Sequence, residues 1–205
     1  MFLSREISEE SAARVRDLER RVARLETLEE SGGCLNLIED IQLSAPAASL
    51  TFSDIPQIYK HLWLLDDLLF TGSAGTGTAQ LRMNGDSGLS YTWIRFDAGT
   101  GANHIGQGGV ALSNEIQLRA NTGRGGHHEI NFLDYTATGK YRHALWKGGG
   151  GSMFFAGDPG DTFDDGLVVG RGTWENTVDP ITSISISNAQ GNYSAGTRAT
   201  LYGLC

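Results

Sequence analysis

The chain has 205 residues, of which 40% are hydrophobic, 28 are glycine and only 4 are proline. Glycine at about twice its average usage predicts many tight turns between short strands, as in an all-β domain. The formal net charge of −8 argues against a general nucleic-acid binder, and no apolar run is long enough for membrane insertion.

The N-terminus and the two cysteines bear on the compartment in which the chain folds. The opening "MFLSREISEESAARVRDLER" is charged throughout and has no apolar core, so we expect no secretory signal and folding in a cytoplasm. Cys34 and Cys205 form neither a zinc-ligand pattern nor a CxxC redox motif. We expect two unpaired thiols. The alternative is a disulfide within or between subunits, formed after release from the reducing cytosol.

The segment "RVRDLERRVARLE", residues 14–26, contains two matching heptads. Four apolar residues follow the 3-4-3 spacing of a coiled-coil seam: Val15, Leu18, Val22 and Leu25. The flanking positions carry opposite charges, with arginine at g and glutamate at e: Arg14, Arg21, Glu19 and Glu26. In a parallel coil each g residue meets the e residue five positions later on the neighbouring chain, so both pairs are in register.

Two heptads are too short to be stable alone, and the paired charges compensate for part of this deficit. Valine at a with leucine at d by itself favours a coiled coil of two helices. However, the doubled Arg-apolar-x-x-apolar-Glu pattern resembles the trimerisation motif of short three-stranded coiled coils. We therefore expect residues 1–31 to be a helix that forms a parallel homotrimer. The alternative is an ordinary amphipathic helix packed on its own domain.

Residues 34–205 read as a second domain made of short strands. The strand-like runs include "CLNLIEDIQLSA", "ASLTF", "HLWLLDDLLF", "AQLRMN", "YTWIRF", "EIQLRA", "HEINFLDY", "YRHALW", "SMFFAG", "LVVGRGTW", "ITSISIS" and "RATLYGLC". Glycine, Asn or Asp fills most gaps, such as "NGDSG" and "KGGGG", which we interpret as turns. The only further helical signal lies around residues 57–61. This pattern predicts a mainly β fold, an antiparallel β-sandwich or jelly-roll knob.

Several of these segments, taken in order, resemble a domain widespread in bacteriophage virion proteins of the minor tail or tail-fibre type. They are "FSDIPQIYKHLWLL", "LRMNGDSGLSYTW", "EINFLDYTATGKYRHALW" and "GTWENTVDPITSISISNAQGNYSAGTRATLYGL". The resemblance covers about residues 51–203. The resemblance implies a virion structural protein with a β-sandwich knob, and it implies no particular enzyme.

Two functions follow from the resemblance and the coil. The first is a homotrimeric short fibre or knob of the tail or adsorption apparatus, anchored to other virion proteins by the N-terminal helix and contacting the host surface, where a glycan is a possible ligand. The alternative is a capsid decoration or cement protein that stabilises or adorns the particle. Both place the protein in the virion, as a homotrimer without a cofactor.

An acidic loop, "GDPGDTFDDG", is the main candidate for a metal site. It holds four carboxylates within eight residues: Asp158, Asp161, Asp164 and Asp165. Calcium prefers such hard oxygen ligands, but the spacing is not that of an EF-hand. We expect a solvated acidic loop, with calcium binding as the alternative.

Other polar and aromatic residues give weaker signals. Adjacent His127 and His128 in a strand would point to opposite faces and could not chelate one ion together. For Asp66 and Asp67 we expect one side chain facing out of a strand and the other at a bulge or subunit contact. No GxSxG, P-loop, HExxH or Cys-His pattern is present, so we expect no enzyme. Three tryptophans in strand-like runs are expected in the core or an interface: Trp93, Trp146 and Trp174.

Overall fold

The computed structural model describes seven ranges of the chain: 35–70, 78–98, 104–106, 115–119, 126–150, 166–189 and 191–205. All of them belong to one compact unit, Leu35–Cys205. The predicted coiled-coil helix of residues 1–31 lies outside the described residues, and so does the acidic loop from Asp158 to Asp165.

The described ranges form twelve strands and contain no helix. In chain order, β1 to β12 are Leu35–Gln42, Ser49–Phe52, His61–Leu68, Thr78–Met83, Tyr91–Ala98, His104–Gly106, Ile116–Arg119, Gly126–Leu133, Arg142–Gly150, Gly166–Trp174, Ile184–Asn188 and Arg198–Leu204. Eight strands form a large sheet in the order β1-β12-β3-β8-β9-β10-β5-β6, and four form a small sheet in the order β2-β11-β4-β7. Every strand pair is antiparallel. The prediction of a mainly β, antiparallel fold is confirmed.

Alternating side chains of both sheets form one hydrophobic core. Leu62 and Leu64 of β3 are fully buried, as are Leu81 of β4 and Ile186 of β11. The period-2 pattern therefore places one face of each sheet inside. Ile116 of the small sheet lies so close to the large sheet that a Cβ at Gly172 would be 2.3 Å from its Cδ1.

Three predictions about local structure are wrong or incomplete. β9 continues through Gly148 to Gly150, where the sequence predicts a turn. A Cβ at Gly148 would lie 2.2 Å from the carbonyl oxygen of His127, so glycine allows the neighbouring strand to approach. Residues 57–61 form a turn and the first residue of β3 rather than a helix. The short strand β6 has no signal in the sequence, because three residues are too few to show a pattern.

Cys205 corrects the expectation of two unpaired thiols. It is disulfide-bonded, and the described residues contain no free cysteine. The only other cysteine in the sequence, Cys34, lies outside the described ranges.

Within the part of the chain that the structure describes, no helix could cross a membrane.

Candidate functional site

The turn after β4 joins two of the sequence motifs. Asn84 and Gly85 have positive φ angles of 53° and 64°, as expected for this tight hairpin. The side-chain oxygen of Asn84 accepts hydrogen bonds from the backbone N–H groups of Thr182 (2.8 Å) and Ser183 (3.0 Å). Its amide donates to the carbonyl of Pro180 at 2.7 Å. Asn84 thus holds the segment that leads into β11.

Asp86 makes a second link from the same turn. Its Oδ2 accepts a 2.8 Å hydrogen bond from the indole N–H of Trp174, and its Oδ1 accepts one from the N–H of Gly88 at 2.8 Å. The hydrogen bond from Trp174 is the main reason why the pKa of Asp86 lies below its ordinary value. Because Trp174 is 1% exposed, this bond satisfies a buried donor at the end of β10.

The first and last motifs also meet. The N–H of Ile55 donates to the carbonyl of Thr182 at 3.0 Å, and the hydroxyl of Tyr135 donates to the carbonyl of Pro56. The ring of Tyr59 lies over Gly203, where a Cβ would be 2.2 Å from its Cδ2. The residues that carry the family resemblance therefore contact one another and stabilise the fold.

His128 and Asp66 form a buried polar pair between β8 and β3. Asp66 Oδ1 lies 2.9 Å from His128 Nδ1 and accepts the backbone N–H of His128 at 2.8 Å. His127 points the other way and is exposed, as is Asp67, so the prediction for adjacent histidines is confirmed. The expectation for the aspartates is half wrong. Asp66 lies in regular register opposite His128 and not at a bulge. Its carboxylate can be buried there because it is hydrogen-bonded to His128.

The Asp66–His128 pair resembles part of a catalytic triad, but both side chains are completely buried. The neighbouring hydroxyl of Tyr193 is buried too. Its pKa is raised mainly by burial and to a smaller extent by the negative charge of Asp66. A raised pKa keeps this hydroxyl protonated and disfavours it as a base or nucleophile. No substrate can reach these groups in the folded chain, so the pair stabilises the core rather than forming an active site.

An open depression lies beside the Asn84–Gly88 turn. Its lining combines carboxylates, small polar groups and two apolar side chains: Asp86, Leu89, Ser90, Glu175, Asn176, Thr177, Val178 and Asp179. Among the described residues no aromatic ring lines it, because Trp174 turns its ring into the core and donates its N–H to Asp86. The described lining therefore includes no aromatic platform on which a sugar ring could stack. Trp146 and Trp174 are buried as predicted, and Trp93 packs partly against the core.

The side of the large sheet that faces away from the small sheet, hereafter the outer face, carries exposed apolar side chains among polar and charged ones. One row of paired positions crosses seven strands: Leu37, Tyr202, Trp63, Asn131, Leu145, Arg171 and Ile94. Of the ten exposed large hydrophobic residues in the described ranges, five lie on the outer face: Leu35, Leu37, Ile94, Leu145 and Val169. The solvated face of an antiparallel sheet is normally polar. The exposed apolar side chains on the outer face make it a candidate contact surface.

The charges on the outer face are balanced. Its described residues include three acidic and three basic side chains: Asp40, Asp67, Glu129, Lys147, Arg171 and Arg198. Lys147 Nζ lies 2.7 Å from Glu129 Oε2, and Arg198 Nη2 lies 2.8 Å from Asp40 Oδ2. The face is neutral, although the whole chain carries −8.

The other candidate residues lie outside the described ranges. These are the eight coil residues from Arg14 to Glu26 and the four carboxylates from Asp158 to Asp165. Where the structure does describe the chain, no three His, Cys, Asp or Glu side chains are grouped so that they could hold a metal ion.

Comparisons with known proteins add little. No family model matches the chain, and no curated protein matches it. Among solved structures, a protein of unknown function from Shewanella oneidensis MR-1 aligns with 83% of this chain and 75% of its own, at 9% identity and a TM-score of 0.26. That likeness is too weak to support an argument about fold or function.

Proposed function

We propose that the chain is a bacteriophage virion structural protein, a homotrimeric short fibre or knob of the tail or adsorption apparatus that contacts the host surface. In this proposal residues 14–26 form the coil that joins three copies and anchors them to other virion proteins. The β unit, Leu35–Cys205, is the projecting knob.

The strand order supports a jelly-roll sandwich for this knob. Eight of the strands follow the two jelly-roll sheets, β1-β12-β3-β8 and β2-β11-β4-β7, while β9, β10, β5 and β6 extend the first sheet. Jelly rolls are common in viral capsid proteins and lectins. Because one fold serves many functions, this is support by analogy alone.

The observation that carries the proposal is the ordered series of virion-type motifs, whose residues contact one another. Asn84 of the second motif bonds to Thr182 of the last, and Tyr59 of the first lies over Gly203 of the last. Motif residues that depend on one another in this way are expected to occur together, which makes the series more specific than its separate parts. The completely buried Asp66–His128 pair supports a structural role over a catalytic one.

Quantitative mass spectrometry of purified phage particles, with heads and tails separated, tests this proposal. We expect the chain in the tail fraction, in a small copy number divisible by three. Many copies in the head fraction would favour the decoration protein instead. Absence from both fractions would overturn the assignment to the virion.

A further inference from the structure

The exposed apolar side chains of the outer face extend to β1, the first strand of the large sheet in chain order. β1 is an edge strand, and its residues Leu35 and Leu37 are 49% and 60% exposed. An uncovered edge strand with apolar side chains readily associates with another chain. The same face continues through Leu145 and Val169 to Ile94 on the far side of the sheet.

We propose that the outer face of the large sheet is the surface through which copies of this chain pack against one another. The inference rests on the proposed function for the number of copies, three, and adds the surface that joins their β units. A three-fold assembly joins different patches of neighbouring copies. The outer face offers two such patches, Leu35 with Leu37 at the β1 edge and Leu145 with Val169 and Ile94 on β9, β10 and β5.

Chain length favours a second copy as the occupant. Eight residues lie between Glu26, the last residue of the predicted coil, and Leu35. They span at most about 30 Å. A parallel coil that joins three copies at Glu26 therefore holds three β1 edges close together, at a high effective concentration.

Charge favours the same occupant. Each copy carries a formal charge of −8, so the net charges of two copies repel each other. The described residues of the outer face carry three acidic and three basic side chains, and four of these form the ion pairs Glu129–Lys147 and Asp40–Arg198. Copies that meet through this face bury apolar area with little like-charge repulsion.

Hydroxyl-radical footprinting of the full chain, combined with light scattering, tests the inference. Three exposed residues outside the outer face serve as controls of matched type. Leu37, 60% exposed, is compared with Leu89, 64% exposed; Ile94, 56%, with Ile58, 78%; and Val169, 45%, with Val178, 73%. If labelling followed the exposed fraction alone, the rates within each pair would differ only by the ratio of the two exposed fractions. We expect each outer-face residue to be labelled several-fold more slowly than this ratio predicts.

The outcomes separate this inference from the proposed function. A trimeric mass with outer-face labelling in proportion to exposure overturns the inference and leaves the trimer standing. A monomeric mass overturns both, and slow labelling in a monomer would mean that the chain covers its own face. Slow labelling that appears only after host polysaccharide or lipid vesicles are added would assign the face to that ligand and overturn the inference.

A pair of variants gives an independent test. Leu37→Glu with Val169→Glu places charges on the outer face, whereas Leu89→Glu with Val178→Glu places them elsewhere at exposed positions. We expect the first variant to dissociate on dilution at a much higher protein concentration than the parent, and the second to match the parent. Melting curves show whether each variant folds. Equal dissociation of the two folded variants would overturn the inference.

Discussion

Gly203 and Tyr59 show how a motif residue can be required by packing alone. β12 has a glycine at this position, and the ring of Tyr59 occupies the space that a side chain would need. Tyr59 reaches this place from the turn after Ile55, whose N–H bonds to Thr182. The absence of a side chain at Gly203 thus allows the segment around Tyr59 to pack directly on β12.

Gly203→Ala should therefore destabilise the fold. A Cβ at this position would lie 2.2 Å from Tyr59 Cδ2 and 2.3 Å from its Cγ, and such overpacking typically costs about 1–3 kcal/mol. Chemical denaturation of the parent and variant measures the loss. The control is the same change in a Tyr59→Ala background, where the ring is gone and the alanine should cost much less. An equal loss in both backgrounds would contradict this packing.

Asp86 should give the fold a specific pH dependence. The hydrogen bond from Trp174 favours the carboxylate and lowers the pKa of Asp86 below its ordinary 3.8. The folded state thus binds this proton less readily than the unfolded state. The stabilisation is complete above the ordinary pKa and is lost as the pH falls through the lower folded-state pKa.

We expect Asp86→Asn to be less stable than the parent near neutral pH by about 1–3 kcal/mol, because it removes a charged acceptor from a buried donor. The difference should shrink as the pH is lowered below about 4. Denaturant melts of both proteins across this pH range measure it. Trp174→Phe, which lacks the indole N–H donor, provides the control. In this background the stability difference between Asp86 and Asp86→Asn should be smaller. A pH-independent difference would refute the role given to the carboxylate.

Pairing between strands explains the buried Asp66 and His128. β3 and β8 align Asp66 with His128 and Asp67 with His127, so neighbouring positions carry the same two residue types on opposite faces. The inner pair is completely buried and hydrogen-bonded, and the outer pair is exposed. Asp66 thus tests the buried pair, and its neighbour Asp67 provides an exposed control on the same strand.

Asp66→Ala should destabilise the protein by about 3 kcal/mol, because it removes the carboxylate that bonds to a buried imidazole and to the backbone N–H of His128. In the dissociated chain, where Asp67 is exposed, Asp67→Ala should change stability by less than about 0.5 kcal/mol. Replacing Asp66 and His128 together by leucine should recover much of the loss, since no unpaired polar group remains. Thermal or denaturant unfolding of these variants provides the measurement. A similar loss for Asp66→Ala and Asp67→Ala would contradict the buried pairing.

The strands could be predicted from the sequence, but their partners could not. "EINFLDY" and "SISIS" alternate in the sequence, and their strands alternate between buried and less buried positions. The Asp66–His128 contact joins positions 62 residues apart and depends on β3 lying next to β8, which no local pattern reveals. The prediction of a turn at the glycines that end β9 is wrong for a related reason. Gly148 is required by the neighbouring strand and not by a turn.

At the scale of the whole molecule, the outer face could not be found from the sequence because its rows exist only once seven strands are in register. The coil prediction is independent of that face, since it rests on the spacing of residues 14–26. The predicted coil and the proposed contact surface are therefore two independent reasons to expect association. Both the fibre and the decoration protein require it.

The mass of the full chain in solution tests the assembly most directly. Light scattering of the parent should give about three times the chain mass of 22.1 kDa. Arg14→Ala with Arg21→Ala removes the g-position charges predicted to pair with Glu19 and Glu26 of a neighbouring chain, and should shift the trimer towards smaller species on dilution. A parent that remains monomeric at all accessible concentrations would contradict the proposed trimer.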